Sequence, residues 1–155
     1  MPNYQTHSIA NLILVLPLSI WSAYHFFAPN QEEVATFAGC FIYTTLFMSP
    51  DVDLASKNKL LSLKGILTLP FHLYARLFSH RGLSHMPVIG TLTRLLYLFF
   101  LFLIIYTLYY ETAPSFSKIH AFIHSYSSLF FSGFLGACIA DIAHEGLDFF
   151  DFSLK

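Results

Sequence analysis

Charged residues are scarce in this chain: Lys and Arg together number 8, and Asp and Glu 9, which is 11% of 155 residues. An ordinary soluble domain carries about 25% charged residues, so this sequence lacks the groups that normally cover a water-exposed surface. The Lys and Arg residues form no basic block, which excludes the electrostatic footprint of a nucleic-acid-binding protein. We therefore expect no nucleic-acid partner.

Cysteine is equally rare, with only Cys40 and Cys138 in the whole chain. Both lie in apolar stretches, and their spacing is not that of zinc ligands. We interpret them as small buried hydrophobic residues; a disulfide or a ligand role is the alternative. Residues 1–11 contain no Lys or Arg, whereas a secretory signal begins with a positive region. We expect this segment to be retained as a membrane helix.

Apolar residues are abundant: 55% of the chain is hydrophobic, Phe alone occurs 18 times, and the mean hydropathy is +0.60. A membrane-spanning helix needs about 20 mostly apolar residues. The sequence predicts one all-α integral membrane domain over residues 1–155. Its four predicted transmembrane helices cover residues 9–28, 34–49, 87–110 and 119–140.

The stretch between the second and third helices, residues 54–86, is apolar but interrupted by basic residues and Pro70. Such a mixture is typical of segments that lie in the headgroup region of a bilayer, so we predict an interfacial segment. An ordinary connecting loop is the alternative.

Positive residues predict the orientation, because they accumulate on the cytoplasmic side of a membrane. With four helices crossing the membrane, both termini and residues 51–85 lie on one side. Of the Lys and Arg residues, only Lys118 lies on the other side. The positive residues of the first side are Lys57, Lys59, Lys64, Arg76, Arg81, Arg94 and Lys155. We therefore predict a multi-pass protein of the bacterial inner membrane with cytoplasmic N- and C-termini.

The same threading brings clusters of acid and histidine to that side. Asp141, His144 and Asp148 are spaced i, i+3, i+7, which places them on one stripe of a helix. Asp51 and Asp53 follow Pro50, and in an extended segment their side chains point the same way. A solvated helix end and an N-cap acid are the alternatives for these two clusters.

Two further groups join them. His80 and His85 flank Arg81-Gly82, where the glycine indicates a tight turn, and His7 precedes the first helix. Arg81 presents a planar donor suited to phosphate. The alternatives are interfacial histidines and a headgroup anchor. His25, His120 and His124 are interpreted as interfacial, and Arg94 is expected to snorkel or to pair with an acid.

These motifs make the chain similar to a known family. It resembles a bacterial family of membrane-associated metal-binding proteins of unknown function and, more loosely, the inner-membrane metal-dependent hydrolases. The matching residues are Thr6-His7, Pro50-Asp51-Val52-Asp53, the six residues from His80 to His85, residues 90–97, and the set from Asp141 to Asp148. The resemblance implies metal binding and hydrolysis but does not supply a substrate.

The leading hypothesis is a membrane-embedded metal-dependent hydrolase acting on a lipid or lipid-linked phosphoester. One or two divalent ions are expected, with Zn favoured and Mn or Fe possible. Asp53, Arg81 and Asp141 are the candidate catalytic residues. The candidate metal ligands are His7, Asp51, Asp53, His80, His85, Asp141, His144 and Asp148. The alternatives are a non-catalytic divalent-metal-binding or transport protein, and a metal that serves only to tie helix ends together.

Overall fold

The computed structural model describes residues 4–48, 68–71, 73–74, 86 and 88–153, and within these ranges it leaves out the side chains of residues 4–6, 148 and 150–153. All regular structure in the described part is helical, which confirms the all-α prediction. The elements are α1 (Tyr4–Ala10), a π-helical turn (Asn11–Val15), α2 (Leu16–Phe27), α3 (Gln31–Phe47), α4 (Ile89–Tyr110), α5 (Phe116–Ser125) and α6 (Ser127–Ser153).

Three stretches of the described chain are long and apolar enough to cross a membrane, which indicates a membrane protein. They are His7–Phe27, Ile89–Tyr110 and Ser127–Leu147. The predicted second span corresponds to α3, which has 17 residues and carries Glu32 and Glu33 in its first turn. At ~1.5 Å per residue this helix is about 25 Å long, short of the ~30 Å hydrocarbon core. A fourth span therefore stays a prediction.

The helix predicted over residues 119–140 differs most from the structure, because the chain breaks at Tyr126 between α5 and α6. Ser125, Ser127 and Ser128 surround the break, and serine is a poor residue for a helix interior. Beyond residue 140, α6 continues to Ser153. Asp141 and His144 therefore lie inside a continuous helix and not beyond its end.

Local signals explain the tight connection between α2 and α3. Ala28 ends α2 in the left-handed conformation, and Pro29 follows. Asn30 then caps α3: its side chain accepts from the Glu33 amide at 2.9 Å while the Glu33 carboxylate accepts from the Asn30 amide at 3.0 Å. This reciprocal capping box satisfies two helix-end donors and fixes where α3 begins.

Helix α6 lies at the centre of the fold, since it contacts α1, the π-helical turn, α3, α4 and α5. The closest approach is to α3, where Gly136 lies against the Phe37 backbone. A Cβ atom at position 136 would lie 3.1 Å from the Phe37 carbonyl carbon and closer still to its oxygen. Small residues at such crossings let membrane helices pack closely.

Part of the predicted interfacial segment reaches the interior of the fold. Phe71 and Tyr74 are buried in one cluster with Met48 and Ala137, whereas Leu69 and Leu73 are exposed. Apart from residues 68–71, 73–74 and 86, the predicted segment 54–86 lies outside the described residues, so its interfacial placement stays a prediction.

Candidate metal centre

A layer of buried polar side chains crosses the bundle near the end at which α1 begins. Its members come from α1, the π-helical turn, α3, α4 and α6. They are His7, Ser8, Asn11, Thr44, Thr45, Thr91, Arg94, Asp141 and His144. Polar and ionisable groups are costly inside membrane helices and usually functional there, so this layer is the candidate site.

Two of the predicted ligands meet at the α1–α6 contact. The ring centroids of His7 and His144 lie 5.2 Å apart with an angle of 53° between the ring planes, and each residue is 4% exposed. Two imidazoles bound tetrahedrally at ~2.1 Å to one ion place their ring centroids about 5 Å apart. The observed separation therefore fits a shared ion.

A buried ion pair holds the neighbouring part of the layer together. Arg94 donates through one terminal nitrogen to Asp141 Oδ2 at 2.5 Å, through the other to the Met48 carbonyl, and through Nε to the Gly90 carbonyl at 3.0 Å. Thr91 also donates its hydroxyl to Asp141 Oδ2. Arg94 is 0% exposed and Asp141 1%, so each neutralises the other's buried charge.

This arrangement defines what Asp141 is able to do. Its Oδ2 is occupied by Arg94 and Thr91, whereas its Oδ1 has no hydrogen-bond partner among the described residues. The expectation that Arg94 pairs with an acid is confirmed. The Asp141 carboxylate, bound by the Arg94 guanidinium and the Thr91 hydroxyl, serves mainly to fix the positions of the helices. Its other oxygen is left for a further contact.

Of the predicted ligands, His7 packs against His144, and Asp141 lies three residues before His144 in α6. Asp148 lies in α6 but its side chain is not among the described ones. The remaining predicted site residues, Asp51, Asp53, His80, Arg81 and His85, lie outside the described residues. Within the described part of the chain, no three His, Cys, Asp or Glu side chains form a group able to hold a metal ion. The metal-ligand roles of His7 and His144 therefore stay a prediction.

The chain enters both undescribed segments beside this layer. Met48, whose carbonyl binds Arg94, precedes Asp51 by three residues. Met86 follows His85 directly, and the Met86 carbonyl accepts a hydrogen bond from the Gly90 amide at 2.7 Å. Gly90 lies one helical turn before Arg94. Arg94 therefore joins Met48, at the end of the described range 4–48, and Gly90, in the first turn of α4, to Asp141.

Sequence reasoning missed several members of the layer. Asn11 follows His7 by four residues, and a lone amide in an apolar helix was a signal that could have identified it. Thr44 gave no comparable signal, because single threonines are common in membrane helices, where they bond to their own backbone, and Thr91 lies in the matching stretch 90–97 but was assigned no role.

Taken together, the described residues define an all-helical protein with membrane-length helices and a buried histidine pair beside an Arg–Asp ion pair. The comparison with family models identifies the group more narrowly. The chain belongs to the uncharacterized metal-binding protein family DUF2227, whose model matches residues 2–155.

Individual relatives add little beyond this. The chain is similar to an uncharacterized protein of Aquifex aeolicus (strain VF5), with 34% identity over 70 residues. The aligned region covers 44% of this chain and 48% of that protein, so it spans about half of the relative's length. No solved structure matches the chain.

Proposed function

We propose that the protein binds a divalent metal ion in the membrane-embedded bundle, with His7 and His144 as two of its ligands. The observation that carries the proposal is the 5.2 Å separation of two buried imidazole rings from helices far apart in sequence. Imidazole nitrogens suit Zn and Fe, and carboxylate oxygens suit Mn, in keeping with a metal-binding family.

The remaining ligands in this proposal come from Asp51, Asp53, His80 and His85, with Asp148 as a further candidate. Asp141 acts mainly by positioning: through Arg94 it holds the ends of α3 and α4 against α6, next to the points where the chain enters both ligand-bearing segments. Partners of this kind orient ligands and contribute to metal affinity. The predicted cytoplasmic orientation would let the ion be supplied from inside the cell.

The test is the metal content of the detergent-purified protein, measured by elemental analysis. We expect at least about one tightly held ion per chain in the wild type, and its loss in His7→Ala/His144→Ala. The matched control is His120→Ala/His124→Ala, since these two exposed histidines of α5 also stack, with ring centroids 6.3 Å apart. A wild type that is folded and takes up neither Zn, Mn nor Fe rejects the proposal.

A second candidate function is the metal-dependent hydrolysis of a lipid phosphoester, with Asp53, Arg81 and Asp141 as catalytic residues. The observation that favours it is an apolar cleft of about 710 Å³ between α2, α3 and α6. The cleft runs along α6 from Ser128 to Ile139, and Ile139 is followed by Ala140, which contacts Asn11. A cleft of this kind suits an acyl chain whose headgroup lies at the polar layer.

Phosphate release from lipid phosphoesters in mixed micelles separates the two functions. Metal-dependent turnover that disappears in His144→Ala supports hydrolysis. A protein that binds metal but releases no phosphate from any such substrate is a non-catalytic metal-binding protein.

A further inference from the structure

The first membrane-length helix contains a defect beside the histidine pair. Residues Asn11–Val15 form a π-helical turn, in which the Leu16 amide donates to the Asn11 carbonyl five residues earlier. Single π-turns within α-helices are rare and occur frequently at functional sites. This one contacts both α3 and α6.

The turn places the Asn11 side chain at the α6 surface. Its Nδ2 donates to the Ala140 carbonyl at 3.2 Å, and the residue is 0% exposed. That bond fixes the plane of the amide and thereby the direction of Oδ1. Among the described residues Oδ1 has no hydrogen-bond partner. Leaving a buried acceptor unsatisfied is costly, so this atom requires an explanation.

The antiparallel packing of α1 and α6 directs Asn11 toward the histidine pair. His7 lies opposite His144. One helical turn further along the first membrane-length helix, Asn11 lies opposite Ala140. Side chains on a helix lean toward its N-terminus, so Asn11 leans toward the level of His7, and His144 leans toward the level of Ala140. The Asn11 amide therefore lies about one helical turn from the histidine pair, at the surface between this helix and α6.

A second oxygen lies on the same face of this helix. Ser8 is three residues before Asn11, a spacing that makes helical neighbours. It is 7% exposed, and its Oγ also has no hydrogen-bond partner among the described residues. Two buried oxygens without described donors thus accompany His7.

From this arrangement we infer that Asn11 is a further ligand of the metal centre, with Oδ1 as the donor atom facing the ion from the interior of the bundle. The inference rests on the proposed metal-binding function. A neutral amide oxygen beside imidazole nitrogens adds a hard donor to the set, and carbonyl oxygens suit ions such as Mn in particular.

The test compares the affinity of purified protein for Zn and Mn in wild type, Asn11→Leu and Asn11→Asp, by titration against a competing chelator. Leucine fills the space of asparagine without polar atoms, and aspartate keeps an oxygen donor but loses the Nδ2 bond to Ala140. We expect affinity to fall roughly 10–100-fold in Asn11→Leu and to be retained in Asn11→Asp. Ser19→Ala is the control, since Ser19 lies in the same membrane-length helix and donates only to the Val15 carbonyl at 2.7 Å.

The outcomes distinguish a failure of the inference about Asn11 from a failure of the proposed metal-binding function on which it rests. If Asn11 is only a structural tie to Ala140, Asn11→Leu and Asn11→Asp both lose thermal stability and bind metal equally well, which overturns the inference. If the wild type binds neither ion, the proposed function itself fails. Both variants lose the Nδ2 bond to Ala140, so an affinity lost in Asn11→Leu and kept in Asn11→Asp supports Asn11 as a ligand.

Discussion

Replacing Arg94 by methionine removes the cation of the buried ion pair while it keeps a long apolar side chain. Asp141 then retains a charge that is 1% exposed and loses its strongest partner. Breaking a buried ion pair by removing one member costs ~3–5 kcal/mol. The Met48 and Gly90 carbonyls, which Arg94 also binds, lose a donor at the same time.

This cost is large enough to measure by thermal unfolding in detergent. For a chain of about this size, 1 kcal/mol shifts the melting temperature by ~2–4 °C, so Arg94→Met should melt about 6–20 °C lower. The double variant Arg94→Met/Asp141→Leu removes both charges and should recover most of the loss, because well-packed apolar residues replace a buried pair with little cost.

Two results would refute this reasoning. If Arg94→Met melts with the wild type, the ion pair is not buried as described. If the double variant is less stable than either single variant, charge compensation is not what joins Arg94 to Asp141. Thr107→Val is a suitable control, since Thr107 lies in the same helix and donates only to the Leu103 carbonyl at 2.8 Å.

Two further predictions concern the packing and the ends of the helices. Gly136→Ala should destabilise the protein by ~1–3 kcal/mol, since the new methyl group meets the Phe37 backbone, whereas Gly39→Ala, with no described atom within 4 Å, should be neutral or slightly stabilising in thermal unfolding. Equal melting of the two variants would contradict the close α3–α6 contact. Asn30→Ala should cost ~1 kcal/mol by removing the capping box; unchanged melting and unchanged amide exchange in the first turn of α3 would show that the cap is dispensable.

Composition and hydropathy were sufficient to predict the helical class and three membrane-length helices, because lipid as a solvent demands long apolar stretches. The boundaries of the helices were harder to predict from the sequence. The hydropathy pattern did not reveal the break at Tyr126, because the serine-rich stretch around it lies between apolar residues. Helix α6 runs on past Asp141 because polar residues do not end a helix by themselves, whereas Pro29 and Asn30 mark a boundary through their own backbone chemistry.

Part of the candidate site was predictable from the sequence: threading put His7 and the Asp141 cluster on one side of the membrane, and Arg94 was expected to snorkel or to pair with an acid. Asp141 and His144 share a stripe of α6, so helical spacing predicted their proximity to each other. The meeting of His7 with His144, and of Arg94 with Asp141, depends on which helices pack together, and no local spacing encodes that. The π-helical turn of Asn11–Val15 was likewise not predicted.

The most direct test of the metal-binding account is the number of ions held per chain by wild type and by His7→Ala/His144→Ala, purified in parallel and analysed for Zn, Mn and Fe. The account predicts at least about one ion in the wild type and none in the double variant, with both proteins equally helical by circular dichroism. Equal metal content in the two proteins, or a folded wild type that takes up no metal, would contradict it.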